Sequence, residues 1–170
     1  MTSLVISFMA DDKPGLVNLI SKTVSAHNGN WLDSSMSRLG GKFTGILVVQ
    51  VAEQDIAALS SALTALSTQG INLICDLSSA DADSSGYSEV VLDLVGHDKP
   101  GIVRDISSVL AHHQVNVIKL ATELVPGSMS SELLFKAQGR VMVPPTVDIE
   151  QLQEALEAIA ADLLVDISFT

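Results

Sequence analysis

The 170-residue sequence predicts an α+β protein in which one small domain occurs twice. Three observations predict it. Residues 12–15 read Asp-Lys-Pro-Gly, and residues 98–101 read the same four. Carried at that offset of 86 through position 30, the match holds nine identities in nineteen positions; unrelated sequence gives about one or two. Around each copy, short β-branched runs alternate with stretches of helical apolar spacing.

The elements follow in order. Leu4–Met9 and Ser88–Val95 suit buried strands. A helix signal comes next: Asp12 or Asp98 as N-cap, Pro14 or Pro100 in the first turn, then Leu16, Ile20 and Val24, or Ile102, Ile106 and Leu110, at helical spacing. Asn28-Gly29 ends the first helix as a left-handed cap does. Second strands are expected at Asn30–Leu39 and Asn116–Val125, turns at Gly40-Gly41 and Pro126-Gly127, and third strands at Phe43–Val51 and Met129–Ala137. Second helices start at Asp55, with Ile56, Leu59, Ala62, Leu63 and Leu66 on one face, and at Asp148, with Ile149, Leu152, Leu156 and Ile159. Each copy closes with a strand, Ile71–Leu77 or Leu163–Phe169.

The order is βαββαβ twice, the ferredoxin-like arrangement of an antiparallel sheet with helices on one face. The second helices are offset by 93 rather than 86, so copy two carries seven extra residues. They are expected in Gln138–Val147, where Pro144-Pro145 suggests an irregular loop. The small, polar, acidic stretch after Leu77 divides the chain into a domain at 1–79, a linker at 80–86 and a domain at 87–170. Halves of about 85 residues are small for independent stability. Docking between them, or self-association into a homo-oligomer, is expected to contribute.

Nine Lys and Arg against twenty Asp and Glu leave a net charge of −11. The basic residues are scattered singly, so direct binding to nucleic acid is not expected. Cys75 is the only cysteine, which excludes an intrachain disulfide and a cysteine-based zinc site. Met1–Phe8 has no basic n-region, and no apolar run approaches the roughly 20 residues that span a bilayer. No membrane association is expected, and the expected compartment is the cytoplasm.

Nucleotide-binding, zinc-protease and serine-hydrolase motifs are absent from the sequence, and no serine has a base at a recognisable spacing. His27 and His113 fall in the last turn of the first helices, where a cation suits the helix dipole. His112 and His113 are adjacent and point about 100° apart on a helix. Cys75 reads as a small buried apolar residue. No catalytic residue, metal or cofactor is expected.

The repeated Asp-Lys-Pro-Gly is open to two readings. In one, Asp caps, Pro starts the helix and Gly packs against a strand. In the other, a glycine in the first turn of the helix, having no Cβ, lets a carboxylate approach the free backbone N–H groups there closely, and Asp12 or Asp98 holds an ammonium. An α-amino acid carries both groups on adjacent atoms. Asn30 and Asn116 open the second strands, and their amides both donate and accept. They serve equally well to satisfy the backbone of the helix–strand turn.

The element order, the x-Asp-x-Pro-Gly-Leu/Ile-Val turn after the first strand and the Asn opening the second resemble the ACT domain in both copies. A chain of only two such domains is similar to the glycine cleavage system transcriptional repressor family. That resemblance implies an amino-acid-responsive repressor that acts by binding a separate DNA-binding activator, with glycine opposing the association. It implies further that the domains pair side by side and bind an amino acid between the first-helix turn of one and the second strand of a neighbour. The implied ligand residues are Asp12, Lys13, Pro14, Gly15, Leu16 and Asn30, with Asp98, Lys99, Pro100, Gly101, Ile102 and Asn116. The sequence departs from serine-binding members at Ala10 and Gly96, where those carry a side chain such as His, and at Asp12 and Asp98, where they often carry Asn. Two other classes fit the residues: a ligand-independent protein-interaction module, and a trans-acting allosteric subunit of an amino-acid-pathway enzyme.

Overall fold

Leu4, Ile6, Phe8 and Ala10 alternate along β1 (Thr2–Asp11), and all four are buried. A period of two with one face sealed is the signature of a strand packed on one side. The structure, a computed structural model, describes residues 2–78, 85–127 and 132–170. Two compact units divide the chain, Met1–Ala80 and Asp81–Thr170. Most of the expected linker lies outside the described residues.

In the first unit β1 is followed by α1 (Leu16–Ala26), β2 (Asn30–Leu39), β3 (Lys42–Val51), α2 (Ile56–Thr64) and β4 (Ile71–Leu77). The second unit repeats the order with β5 (Ser88–His97), α3 (Ile102–His112), β6 (Asn116–Pro126), β7 (Leu133–Val143), α4 (Ile149–Leu163) and β8 (Val165–Phe169). The sheet orders are β2-β3-β1-β4 and β6-β7-β5-β8, antiparallel throughout. This is the ferredoxin-like fold in tandem.

Helical spacing puts Leu16, Ile20 and Val24 on one face of α1, where they meet Leu59 and Leu63 of α2 and the alternating residues of β1 and β3. The second core matches it, with Ile102, Ile106 and Leu110 against Leu152, Leu156 and the strands. Each fully buried Leu or Ile stabilises its unit by about 1.5–3 kcal/mol.

The seven extra residues are not in a loop at 138–147. β7 runs unbroken to Val143, and the excess falls mainly in the β6–β7 hairpin, whose strands end at Pro126 and restart at Leu133. The prolines hold only the short turn before α4. Residues 129–131 of the expected third strand lie outside the described residues. The last strand starts at Val165 because Leu164 takes a left-handed φ of 57° and ends α4.

Other details differ from the sequence expectation. Leu66 belongs to a 3₁₀ turn after α2, and Ile149 stays 39% exposed at the head of α4. Cys75 is half-buried rather than enclosed, and burial raises its thiol pKa. The left-handed residue after α1 is Asn28 alone; Gly29 is needed for space, since a Cβ there would meet Val24 Cγ1 at 2.8 Å and Val49 Cγ1 at 2.9 Å. His27 sits at the C-cap and donates from Nδ1 to the Thr23 carbonyl at 2.9 Å.

Candidate functional site

Neither aspartate of the repeated motif caps a helix. The N-cap residues are Gly15 and Gly101, with φ of 92° and 98°, and neither Asp12 nor Asp98 supplies a cap hydrogen bond. The chain needs three more residues to turn from the strand into the helix, so Pro14 and Pro100 precede the cap instead of starting the helix. A left-handed φ explains the glycine. Packing does not: a Cβ on Gly15 would meet nothing within 4 Å. The Gly15 carbonyl accepts from the Leu19 N–H and the Gly101 carbonyl from the Asp105 N–H, both at 2.9 Å. The first N–H groups of α1 and α3 then have no intrahelical acceptor.

The two turns carry different surroundings. Asp12 pairs with Arg38 Nε at 2.8 Å, and Lys13 Nζ donates to the Gln69 carbonyl at 3.1 Å. Lys42 pairs with Asp11 and, chiefly through that hydrogen bond, holds its carboxyl below the ordinary value. In the second unit the Asp98 N–H donates to the Leu133 carbonyl at 3.3 Å, and His97 Nδ1 lies 3.1 Å from Glu132. Arg104 lies across Gly101 and bonds Asp105 at 2.7 Å, depressing that carboxyl's pKa. Arg38, Lys42 and Arg104 were not foreseen from the sequence. Their positions beside the Gly40-Gly41 hairpin and in the first turn of α3 were the available signal.

The predicted site residues separate into three groups. Asp12, Lys13, Pro14 and Gly15 are exposed at one turn; at the other, Asp98 and Pro100 are exposed while Lys99 and Gly101 are half-buried. Leu16 and Ile102 are core residues, offering only their backbone N–H groups to the turn. Asn30 and Asn116 are exposed but lie at the far end of their sheets. Asn30 is in register with Gln50 and, through it, Ser3 at the start of β1, whereas the turn follows Asp11. At about 3.3 Å per residue that is roughly 26 Å along the strand. Asn116, aligned with Met142 and Glu89, stands likewise to its own turn.

A shallow cavity of about 630 Å³ lies elsewhere, on the exposed face of the second sheet, lined by Asp93, Glu123, Lys136 and Asp166 among others. Side chains at cross-strand positions line it, with no helix terminus. Among the described residues no group of three His, Cys, Asp or Glu is placed to hold a metal, and no helix is long and apolar enough to cross a membrane.

Comparison with known proteins agrees with the fold. An ACT domain model matches residues 2–73, and a second ACT domain model matches residues 90–163. The glycine cleavage system transcriptional repressor of Escherichia coli is 22% identical over 161 residues, 94% of this chain and 85% of that protein. A crystal structure of an unknown protein from Galdieria sulphuraria superposes with a TM-score of 0.83 at 28% identity, over 99% of this chain and 96% of its own. A structure described provisionally as a glycine cleavage system transcriptional repressor gives a TM-score of 0.71 at 22% identity, with the same coverage of both chains. Two matches in sequence order, each on one βαββαβ unit, account for nearly the whole molecule: the chain belongs to the ACT-domain family, with two such domains in tandem.

Proposed function

We propose that this protein is an amino-acid-responsive regulator of transcription, acting in the cytoplasm through a DNA-binding activator protein rather than on DNA, with no catalytic step of its own. The observation that carries the sensing role is the doubled turn, in which a left-handed glycine leaves the first helical N–H groups without acceptors beside an aspartate. A carboxylate docks on those N–H groups, where the helix dipole favours negative charge. Asp98 holds the ammonium in the second unit; Asp12, already paired with Arg38, is the weaker partner. Asn30 and Asn116 reach a turn only from a neighbouring domain, because each lies far from its own. The link to transcription, and to glycine, rests on the similarity to the Escherichia coli repressor.

Glycine has few atoms with which to bind. Five heavy atoms at about 1.5 kcal/mol each cap its affinity near −7.5 kcal/mol, or low micromolar. The test is a thermal-melt panel against the twenty amino acids at about 10 mM. A ligand at 100 times its Kd adds about 2.7 kcal/mol, a shift of several degrees. Glycine or a close analogue is expected to give a selective shift that Asp98→Ala and Gly101→Leu reduce. No shift with any amino acid overturns the sensing role, and failure to retain a DNA-binding protein in affinity capture overturns the partner.

A further inference from the structure

We propose that the open face of the first sheet is a docking surface for an amphipathic helix of a protein partner, one whose apolar stripe is flanked on both sides by lysine or arginine. The strand register builds that face. Outward positions alternate with the buried Leu4, Ile6 and Phe8, so Val5, Met9, Ile46, Val48 and Ile74 share the side away from the helices. Met9, Ile46 and Ile74 are 51%, 49% and 65% exposed. No charged residue stands in the cross-strand rows through Ser7 and Met9. The fold does not impose this. The equivalent rows of the second sheet carry Asp93, Lys136, Glu123 and Asp166, and Gln138 donates to Asp93 at 2.9 Å. That face is charged and meets its own needs; the first leaves apolar side chains contiguous across three strands, which marks an interaction surface.

Charge selects the occupant. One row of the face reads Asp76, Val5, Val48, Asp33, each residue in register with the next. Asp33 accepts from the Ser34 N–H at 2.7 Å. Both aspartates are exposed, and among the described residues no Lys, Arg or His pairs with either. Three strand spacings separate them, about 14 Å. A helix with its side chains is about 10–12 Å across. Lying along β1 and β3, it rests its apolar stripe on Val5, Met9, Ile46 and Val48 and brings flanking cations to Asp33 on one side and Asp76 on the other. Beside Asp33 a depression of about 160 Å³, lined by Ser35, Ile46 and Val48 among others, takes the stem of such a lysine or arginine while its head reaches the carboxylate. A second copy of this chain is the poorer occupant. Face to face, it would bring four unpaired carboxylates together on chains that each carry −11.

This inference goes beyond the regulation of transcription proposed above and stands whatever else the partner binds. The test uses the full chain and a fluorescent synthetic peptide of about 18 residues, a leucine stripe flanked by lysines, which as a helix is about 27 Å long. Anisotropy is expected to show saturable binding. The same composition reordered so that no stripe forms, and the peptide with glutamate for lysine, should each bind at least about tenfold more weakly. Ile46→Lys and, at a similarly exposed position, Met9→Lys should each weaken binding about tenfold or more. Asp33→Lys and Asp76→Lys should each weaken it about threefold. Asp166→Lys makes the same change of charge on the open face of the second sheet and should leave binding within about twofold. A loss at Asp166→Lys equal to those at Asp33 and Asp76 would show general attraction of a cationic peptide to an acidic chain and overturn the proposal. Binding indifferent to both Ile46→Lys and Met9→Lys would overturn it too. So would sedimentation in which the native chain dimerises and Ile46→Lys does not, since a second copy then covers the face.

Discussion

Gly15 and Gly101 occupy the same left-handed backbone, yet an added methyl meets empty space at the first and the Arg104 guanidinium, 2.9 Å away, at the second. Arg104 is exposed and can swing aside, so backbone strain dominates at both sites. Gly15→Ala and Gly101→Ala should each cost about 1–2 kcal/mol in urea melts, with little difference between them. The aspartates beside these turns set a pH dependence. Asp11 and Asp105 have folded pKa values below the ordinary carboxylate value, held there by Lys42 and Arg104. Their contribution is complete above that ordinary value and is lost as pH falls through the depressed folded one. Asp11 is exposed, Asp105 is only half-buried, and each pairs with an exposed cation at the surface, so the loss is small. Carboxyl NMR titration should show Asp11 returning upward in Lys42→Met.

At the level of single elements, the two domains start their second helices differently. Asp148 is a true N-cap, accepting from the Glu150 N–H at 2.9 Å and the Gln151 N–H at 3.4 Å. Asp55 is the last residue of a 3₁₀ turn (Glu53–Asp55), in helical backbone, and makes no cap hydrogen bond; its carboxylate accepts from Asn28 Nδ2 at 3.4 Å. Asp148→Ala should therefore cost about 1 kcal/mol and Asp55→Ala much less, measured by chemical denaturation. Element type and order were legible in the sequence because the apolar periods of Leu16–Val24 and Leu4–Ala10 are strong and repeated. The cap was not, because Asp-Lys-Pro-Gly offers a good cap residue three places before the residue whose left-handed φ starts the helix. The long β6–β7 hairpin was missed for a related reason: strand ends depend on pairing with β5 and β7 across the sheet, which local pattern does not report. Leu16 and Ile102 were legible as core. The separation of Asn30 and Asn116 from their turns became plain only with the strand register.

Across the whole molecule, the two cores are sealed unequally. Ile6, Ile20, Leu47, Leu59 and Ile71 are 0% exposed, while Leu92, Leu94, Ile106, Leu110 and Val165 keep 4–7%. The second unit should open first, its backbone amides exchanging faster in native-state hydrogen exchange. The brevity of β8 also bears on aggregation. Five residues long with the charged Asp166 near its start, it is the shortest edge strand of the two sheets, so that end of the second sheet offers little template for a foreign strand.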